Sequence, residues 1–179
     1  TGITPGTATI NVRNYEGDDG SYETFTASCE VTVKEEQPGL KNTGFELGQS
    51  PWVVADGSQG GLVFGENSNC LSGTNDLHFS SGTSDLDADV YQEIEGLTPG
   101  VYEFTGNVMG DNGLTAIQLY ATTSETTVTS DVYKTVGWGG ADKYVPMSLS
   151  GIVVTDGKLK VGMTLKANYS GSEAWGDLD

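Results

Sequence analysis

Apolar and polar residues alternate with a period of two along short runs of the chain, and glycine-rich turns separate the runs. Residues 7–12 and 26–33 both alternate, and residues 17–20 (Gly-Asp-Asp-Gly) lie between them. Alternation of this kind is typical of strands, because successive side chains of a strand point to opposite faces. We therefore predict a β-hairpin within residues 1–34 and a linker over residues 35–39, where Glu and Pro interrupt the pattern.

From residue 40 onward the runs carry aromatic residues and are separated by Gly, Ser and Asn. Two turns are especially clear, namely residues 97–100 (Leu-Thr-Pro-Gly) and the dipeptide Asp156-Gly157 between two apolar runs. No helical periodicity extends beyond one turn. Many short strands joined by regular turns indicate an antiparallel all-β sandwich or barrel. The predicted strands are residues 52–54, 61–64, 76–79, 89–94, 100–109, 114–122, 128–136, 144–154 and 158–165.

The charge of the chain argues against two classes of partner. The 179 residues contain 25 Asp and Glu against 8 Lys and Arg, for a net charge of −17. Binding to nucleic acid or to an anionic membrane surface needs clustered Lys and Arg, so we expect neither partner. Hydrophobic residues make up 36% of the chain, enough for a core, and no apolar run reaches the roughly 20 residues of a membrane span. The predicted core includes Phe45, Phe79, Tyr102, Phe104 and Leu119.

Cys29 and Cys70 are the two cysteines of the chain, so one disulfide is possible. They lie 41 positions apart in separate strand-like or loop-like segments. We favour two free, half-buried thiols over a disulfide, and the sequence leaves both alternatives open.

Motifs of the common catalytic sites are absent from the sequence. There is no Gly-x-Ser-x-Gly elbow, no His-Glu-x-x-His and no phosphate-binding loop. A glycosidase needs a pair of carboxylates, and no motif singles out such a pair among the 25 acids. His78 is the single histidine, and strand alternation turns it away from Leu77 and Phe79. We interpret His78 as a structural or surface residue in preference to a ligand contact, and we expect no enzymatic activity.

Residues 6–12 (Gly-Thr-Ala-Thr-Ile-Asn-Val) and 27–33 (Ala-Ser-Cys-Glu-Val-Thr-Val) carry a first resemblance. With them, residues 1–34 resemble the last two strands of a group 2 bacterial immunoglobulin-like domain. The resemblance implies a spacer in a secreted or cell-surface bacterial protein. Two strands cannot bury an immunoglobulin core, so we expect the chain to be a piece of a longer protein.

A second resemblance spans residues 40–179. Its segments are residues 41–46 (Lys-Asn-Thr-Gly-Phe-Glu), 72–79 (Ser-Gly-Thr-Asn-Asp-Leu-His-Phe), 92–102 (Gln-Glu-Ile-Glu-Gly-Leu-Thr-Pro-Gly-Val-Tyr), 137–138 (Gly-Trp), 154–157 (Val-Thr-Asp-Gly) and 175–179 (Trp-Gly-Asp-Leu-Asp). In this order they resemble a jelly-roll carbohydrate-binding module of the galactose-binding-like type, and most of all family 61, which is often attached to β-1,4-galactanases of glycoside hydrolase family 53. The resemblance implies a jelly-roll β-sandwich that binds a galactose-containing polysaccharide and is attached to a catalytic domain.

The chain departs from the family pattern at three positions and at its end. The family tends to carry aromatic residues where Ser80, Gly139 and Gly140 stand here. The family also continues into one more strand after the position of Asp179, so we expect the final strand of the jelly roll to be missing from this sequence.

The resemblance also implies a structural calcium ion. In the jelly-roll family the positions of Glu46 and Asp179 commonly meet on neighbouring strands and hold Ca²⁺. Calcium takes six to eight oxygen ligands from carboxylates and main-chain carbonyls, and the loop around Gly73 is rich in residues that expose carbonyls. The alternative is a solvated Glu46 and a frayed terminus.

Aromatic residues in loops are the candidates for sugar contact, because the C–H faces of a sugar stack on flat rings. Trp138 is the first candidate, since Gly137 and Gly139 leave its indole little to pack against. Trp175 is the second, with a role as a plug of the sandwich end as its alternative. Trp52 is retained as a candidate, although a core position is the favoured interpretation. The other candidates are Tyr144, Tyr169, Asn112 and Lys143.

The sequence thus predicts a non-catalytic, calcium-stabilised β-sandwich that targets a secreted bacterial glycoside hydrolase to a polysaccharide, with β-1,4-galactan as the first ligand to test. The alternative function is that of a cell-surface adhesin or structural spacer without affinity for sugar. An active hydrolase is a third and less favoured alternative.

Overall fold

A computed structural model describes residues 6–13, 26–33, 38–55, 60–66 and 69–179, without the side chains of residues 6–13, 26–33, 112 and 141. The chain divides into two compact units, residues 1–37 and 38–179. In the first unit, β1 (Gly6–Arg13) pairs antiparallel with β2 (Thr26–Val33), in a register that runs from Gly6 opposite Val33 to Arg13 opposite Thr26. The predicted pairing of these two segments is confirmed. The turn at residues 17–20 lies outside the described residues, and the immunoglobulin resemblance stays a prediction.

The second unit is a β-sandwich of two antiparallel sheets. Its strands are β3 (Val53–Val54), β4 (Leu62–Glu66), β5 (Asp76–Ser80), β6 (Leu86–Glu95), β7 (Gly100–Asn112), β8 (Thr115–Thr122), β9 (Thr127–Tyr133), β10 (Val136–Gly137), β11 (Val145–Val154), β12 (Lys158–Ala167) and β13 (Trp175–Leu178). The first sheet has the order β10-β7-β13-β5-β4, with β11 also paired to β7, and the second has the order β3-β6-β12-β8-β9. The predicted antiparallel all-β sandwich is therefore confirmed.

The core lies between the two sheets and is filled by alternate residues of each strand. In β6 the even-numbered positions from Leu86 to Ile94 are buried, and in β12 the odd-numbered positions from Leu159 to Ala167 are buried. Alternation of this kind sends the polar positions of the same strands to the outer face. Of the predicted core residues, Phe45, Phe79, Phe104 and Leu119 are buried, and Tyr102 is partly buried against the core.

Two predicted elements differ from the structure. The predicted strand over residues 128–136 is divided into β9 and β10, because Thr135 turns inward to a buried position and its hydroxyl lies 2.7 Å from that of Thr115. Residues 175–178, which the pattern did not mark as a strand, form β13 between β5 and β7. Four residues are too few for alternation to be recognised, and the register of the two neighbours places this strand.

Cys70 forms no disulfide with any cysteine whose side chain the structure describes, and burial raises the pKa of its thiol. The side chain of Cys29 lies outside the described residues, so the structure does not test a Cys29–Cys70 pair. Among the described residues the one helix is a 3-10 turn at Ala141–Lys143, and none is long or apolar enough to cross a membrane.

Candidate functional site

The outer face of the first sheet gathers the aromatic and polar residues of β5 and β13. The register pairs Trp175 with Ser80 and Asp177 with His78. Leu77 and Phe79 are fully buried on the core side, so strand alternation turns His78 outward, as the sequence predicts. Trp175, Asp177 and His78 therefore lie together on the outer face.

Trp175 and His78 form a stacked pair. Their ring centroids are 5.9 Å apart and their planes differ by 28°. Nδ1 of His78 lies 2.7 Å from Oδ1 of Asp177. This hydrogen bond raises the pKa of His78, against the opposing effect of burial. Asp177 thus fixes the orientation of the imidazole on which the indole rests.

Asp177 is fully buried and is held from a second direction. Its Oδ2 accepts a hydrogen bond of 2.8 Å from Nδ2 of Asn69. The main-chain carbonyl of Asn69 in turn accepts a hydrogen bond from the hydroxyl of Tyr144. Burial raises the pKa of that hydroxyl, with further contributions from the nearby carboxylates, so it remains a donor at neutral pH. One network therefore links Tyr144, Asn69, Asp177, His78 and Trp175.

Trp138 belongs to the same end of the first sheet and is 66% exposed. It follows β10, whose Gly137 pairs with Gly110 of β7, and Gly110 pairs in turn with Gly176, the neighbour of Trp175. Strands in a sheet are about 4.8 Å apart, and β10, which ends just before Trp138, is two strands away from β13, which begins with Trp175. Gly137 and Gly139 have φ angles of 134° and 96°, and few residues other than glycine adopt these values. The glycines thus hold the indole in solvent. We call Trp138, Tyr144, Trp175, His78, Asn69 and Asp177 the tryptophan face.

The other predicted ligand residues are placed differently. Trp52 is 4% exposed and packs on Phe45 at a centroid distance of 5.4 Å, so its ring is buried in the core and cannot stack on a sugar. Lys143 forms an ion pair of 3.2 Å with Asp142 in the connection between Trp138 and Tyr144. The side chain of Asn112 lies outside the described residues.

Tyr169 is 41% exposed at the far end of β12, where its main-chain N–H donates to Asp85. None of its described contacts joins it to the tryptophan face. Sequence reasoning missed Asn69 and Asp177. The alternation of Trp175 and Asp177 was a usable signal for the second, but no local pattern marks Asn69.

Glu46 and Asp179 converge on the loop of residues 71–75. Carboxylate oxygens of Glu46 accept hydrogen bonds from the main-chain N–H groups of Thr74 and Asn75 and from the hydroxyl of Thr74. Those of Asp179 accept from the N–H groups of Leu71 and Ser72 and from the hydroxyl of Ser72. The loop is therefore clamped by two carboxylates.

The absence of a side chain at Gly73 leaves the space that the Glu46 carboxylate occupies beside this loop. A Cβ on Gly73 would lie 1.9 Å from Oε1 of Glu46, and its φ of +64° also favours glycine. The hydrogen bonds from the loop lower the pKa of Glu46, so its carboxylate is charged at neutral pH. Carboxylates are among the oxygen ligands of calcium, but all four carboxylate oxygens of this pair already accept hydrogen bonds from the loop. Among the described residues no group of three His, Cys, Asp or Glu forms a metal centre alone, so calcium here would also need main-chain carbonyls.

Three solved structures share this fold. A family 61 carbohydrate-binding module in complex with β-1,4-galactotriose gives a TM-score of 0.69 at 24% identity, over 80% of this chain and 95% of that chain. A structure described for the promiscuous specificity of carbohydrate-binding modules of the β-sandwich superfamily gives 0.50 at 16% identity, over 98% of this chain and 73% of that chain. A family 16 carbohydrate-binding module gives 0.52 at 13% identity, over 78% and 94%.

No family model and no curated protein matches the chain. The structural matches show that residues 38–179 have the jelly-roll β-sandwich fold of carbohydrate-binding modules, which confirms the predicted resemblance at the level of the fold.

Proposed function

We propose that the module of residues 38–179 is a non-catalytic carbohydrate-binding module whose ligand lies on the tryptophan face. The exposed indole of Trp138 is the observation that carries this proposal. An exposed indole leaves a large apolar area in contact with water, which is unfavourable unless a ligand covers the ring. The adjacent Trp175–His78 pair, fixed by Asp177 and Asn69, adds a second flat surface and polar groups. Rings beside polar groups suit the C–H faces and the hydroxyls of a sugar.

The ligand that we propose first is a galactose-containing chain, with β-1,4-galactan at the head. Its support is the sequence resemblance to family 61 and the fold shared with a module that was solved with β-1,4-galactotriose. The substitution of Ser80, Gly139 and Gly140 for the aromatic residues of the family leaves Trp138 and Trp175 to supply the stacking surface.

We propose an accessory role in a larger secreted or cell-surface bacterial enzyme. A module that binds the polymer keeps an attached glycoside hydrolase at a high local concentration of substrate. The binding surface is then the whole contribution of this module, and hydrolysis belongs to the attached domain.

Structural Ca²⁺ is the cofactor that we propose, held by Glu46 and Asp179 together with main-chain carbonyls of the loop around Gly73. The ion would supply rigidity to the loop and no chemistry to the sugar. The hydrogen bonds that already clamp the loop imply that the fold persists without calcium.

The experiment that tests the function is a calorimetric titration of the full chain against soluble oligosaccharides. The panel contains β-1,4-galactotriose, cellotriose and xylotriose, and the same samples are assayed for release of reducing sugar. We expect saturable binding to at least one neutral trisaccharide, strongest for galactotriose, and no hydrolysis. Binding of cellotriose alone would support a carbohydrate-binding function but overturn β-1,4-galactan as the ligand. Absence of binding across these ligands and a wider polysaccharide panel would support the adhesin or spacer alternative.

A further inference from the structure

The outer face of the second sheet carries a row of side chains that crosses all five strands. The registers pair Val53 with Tyr91, Tyr91 with Gly162, Gly162 with Tyr120, and Tyr120 with Thr129. Residues directly opposite each other in antiparallel strands project to the same face. The chain neighbours of this row in β6, β8 and β12 are buried in the core. Two tyrosines therefore face outward on either side of a glycine.

The ring of Tyr120 lies across Gly162. A Cβ added to Gly162 would be 2.5 Å from both Cζ and Oη of Tyr120 and 2.7 Å from Cε1, so the far half of the ring occupies the space that any other side chain at position 162 would fill. The hydroxyl reaches β6 and donates a hydrogen bond of 2.7 Å to Oδ1 of Asp89. The ring is thus fixed at both ends, with one face against the sheet and the other directed outward.

Lys160 completes the cluster. Its Nζ lies 3.6 Å from the centroid of Tyr91 and 5.9 Å from that of Tyr120, within the range of a cation–π contact. The other two lysines of the same strand face, Lys158 and Lys166, are paired with Glu95 and Asp87. Among the described residues the ammonium of Lys160 instead lies over aromatic rings, where its N–H groups can be presented to a ligand. We call Tyr91, Tyr120, Gly162 and Lys160 the tyrosine face.

A surface depression adjoins the tyrosine face. It has a volume of about 320 Å³ and is lined by residues that include Glu93, Thr122 and Lys160, which form the next row across the sheet. Ligand clefts in proteins have volumes of about 300–1,000 Å³. One sheet face therefore carries three features close together: the fixed ring of Tyr120, the Lys160 ammonium and a depression of this size.

We propose that the tyrosine face is a second saccharide-binding site, separate from the tryptophan face, which takes a pyranose ring of a neutral glycan. The ring of Tyr120 supplies a preorganised stacking surface, so little conformational entropy is lost on binding. Lys160 supplies donors for sugar hydroxyls. The four carboxylates of Asp87, Asp89, Glu93 and Glu95 line the same face as the three lysines Lys158, Lys160 and Lys166, so negative charge is in slight excess and disfavours an acidic sugar. This charge pattern selects the neutral class.

The two faces belong to different sheets and point away from each other, since the core lies between the sheets. One module then holds two sugar chains, or two parts of one polymer, and gains avidity on a polysaccharide without any further contact. The proposal for the tyrosine face is based on contacts within the second sheet alone, and it does not depend on sugar binding at the tryptophan face.

The test is an amide NMR titration of the isotopically labelled full chain with β-1,4-galactotriose, cellotriose and xylotriose in turn, and with an α-1,4-galacturonic acid trimer as the acidic comparator. We expect saturable shifts at Tyr91, Tyr120 and Gly162 with at least one neutral trisaccharide and none with the acidic trimer. Shifts confined to the tryptophan face would overturn the second site and leave the proposed function standing. Shifts confined to the tyrosine face would support the second site and overturn sugar binding at the tryptophan face. Saturable shifts at Gly162 with the acidic trimer would overturn the assignment to neutral glycans.

Variants of Tyr120 and Lys160 distinguish the loss of a sugar contact from the loss of the folded structure. Tyr120→Ala removes the ring, and we expect affinity at the tyrosine face to fall by at least about fivefold, or about 1 kcal/mol, with shifts at Trp138 unchanged. Tyr120→Phe keeps the ring and loses the hydrogen bond to Asp89, so it should retain most of the affinity. Should Tyr120→Ala fail to fold, Lys160→Met provides the second measurement with the same expected direction. Val101→Ala, at a 71% exposed position of the first sheet, is the control. Unchanged affinity in a folded Tyr120→Ala contradicts the proposal.

Discussion

Asp76 is fully buried in β5, and neither of its carboxylate oxygens has a hydrogen-bond partner among the described residues. Burial raises its pKa to about 7, and the charges of Asp177, Glu66 and Asp179 act in the same direction, while His78 opposes them. The pKa in the unfolded chain is near 3.8. The folded state therefore binds the proton more tightly than the unfolded state, and this contribution to stability is complete below pH 4 and is lost as the pH rises through 7.

The replacement Asp76→Asn should remove this pH dependence. We expect urea denaturation in EDTA to show that the wild-type chain loses about 2–4 kcal/mol between pH 4 and pH 8 from this group, while Asp76→Asn loses less over the same interval and is more stable at pH 8. Asp131→Asn, at an exposed position of β9, is the matched control and should keep the wild-type slope. A parallel pH profile for wild type and Asp76→Asn would contradict the assignment.

Individual side chains also show how far sequence reasoning reaches. Alternation was enough to place His78 outward between two buried neighbours, and flanking glycines were enough to indicate an exposed Trp138. Asn69 and the burial of Asp177 were out of reach, because both depend on the register of β13 between β5 and β7. The favoured core position of Trp52 is confirmed, since its ring is buried against that of Phe45.

At the scale of elements, β13 depends on glycine at one position. A Cβ on Gly176 would lie 2.5 Å from the Phe79 ring and 3.0 Å from the main-chain oxygen of Met109. We expect Gly176→Ala to lower the free energy of unfolding by about 1–3 kcal/mol through overpacking, as measured by urea denaturation. Gly39→Ala, where a Cβ meets nothing within 4 Å, should change it by less than about 0.5 kcal/mol. Equal stability of the two variants would show that the Phe79 ring has room to move.

The clamped loop of residues 71–75 is the element on which calcium is expected to act. An ion present at 100 times its dissociation constant contributes about 2.7 kcal/mol, and for a module of this size 1 kcal/mol shifts Tm by about 2–4 °C. We therefore expect EDTA to lower the Tm of the wild-type chain by about 5–10 °C without unfolding it at 25 °C.

The matched variant for the calcium prediction is Glu46→Gln, which preserves the shape of the side chain and removes its charge. It should abolish the calcium-dependent shift in Tm. An unchanged Tm of the wild-type chain on addition of EDTA, with calcium restored in a second scan as a check, would refute the calcium site and leave the hydrogen-bonded clamp as the sole role of Glu46 and Asp179.

At the scale of the whole molecule, the chain consists of two compact units, and the proposed binding residues all belong to residues 38–179. The alternation pattern was sufficient for the all-β class of both units, and the jelly-roll topology came from resemblance. The sheet order was not predictable from local pattern, because pairs such as β5 with β13 join residues about 100 positions apart. The tryptophan face, which includes Trp175, His78 and Asn69, forms because that sheet order brings these residues together.

Deletion of residues 1–37 should leave affinity for sugar unchanged. The first unit carries no tryptophan and none of the residues of either proposed face. The measurement is a calorimetric titration of residues 38–179 and of the full chain with the same trisaccharide, with a thermal scan of each as the folding check. A tenfold loss of affinity in a folded module would place part of the site in the first unit.

The central claim is that the exposed indole of Trp138 is a stacking platform for sugar, and Trp138→Ala tests it most directly. Calorimetry with β-1,4-galactotriose compares wild type, Trp138→Ala and the exposed control Val101→Ala, and a thermal scan accompanies each. Stacking of a nucleic-acid base on an aromatic side chain is worth about 1–3 kcal/mol, and we take the same range for a sugar face. We therefore predict that affinity falls about 5- to 100-fold in Trp138→Ala, with Tm nearly unchanged and with Val101→Ala like wild type. Affinity equal to that of the wild type, or a loss that occurs only because the variant unfolds, would contradict the claim.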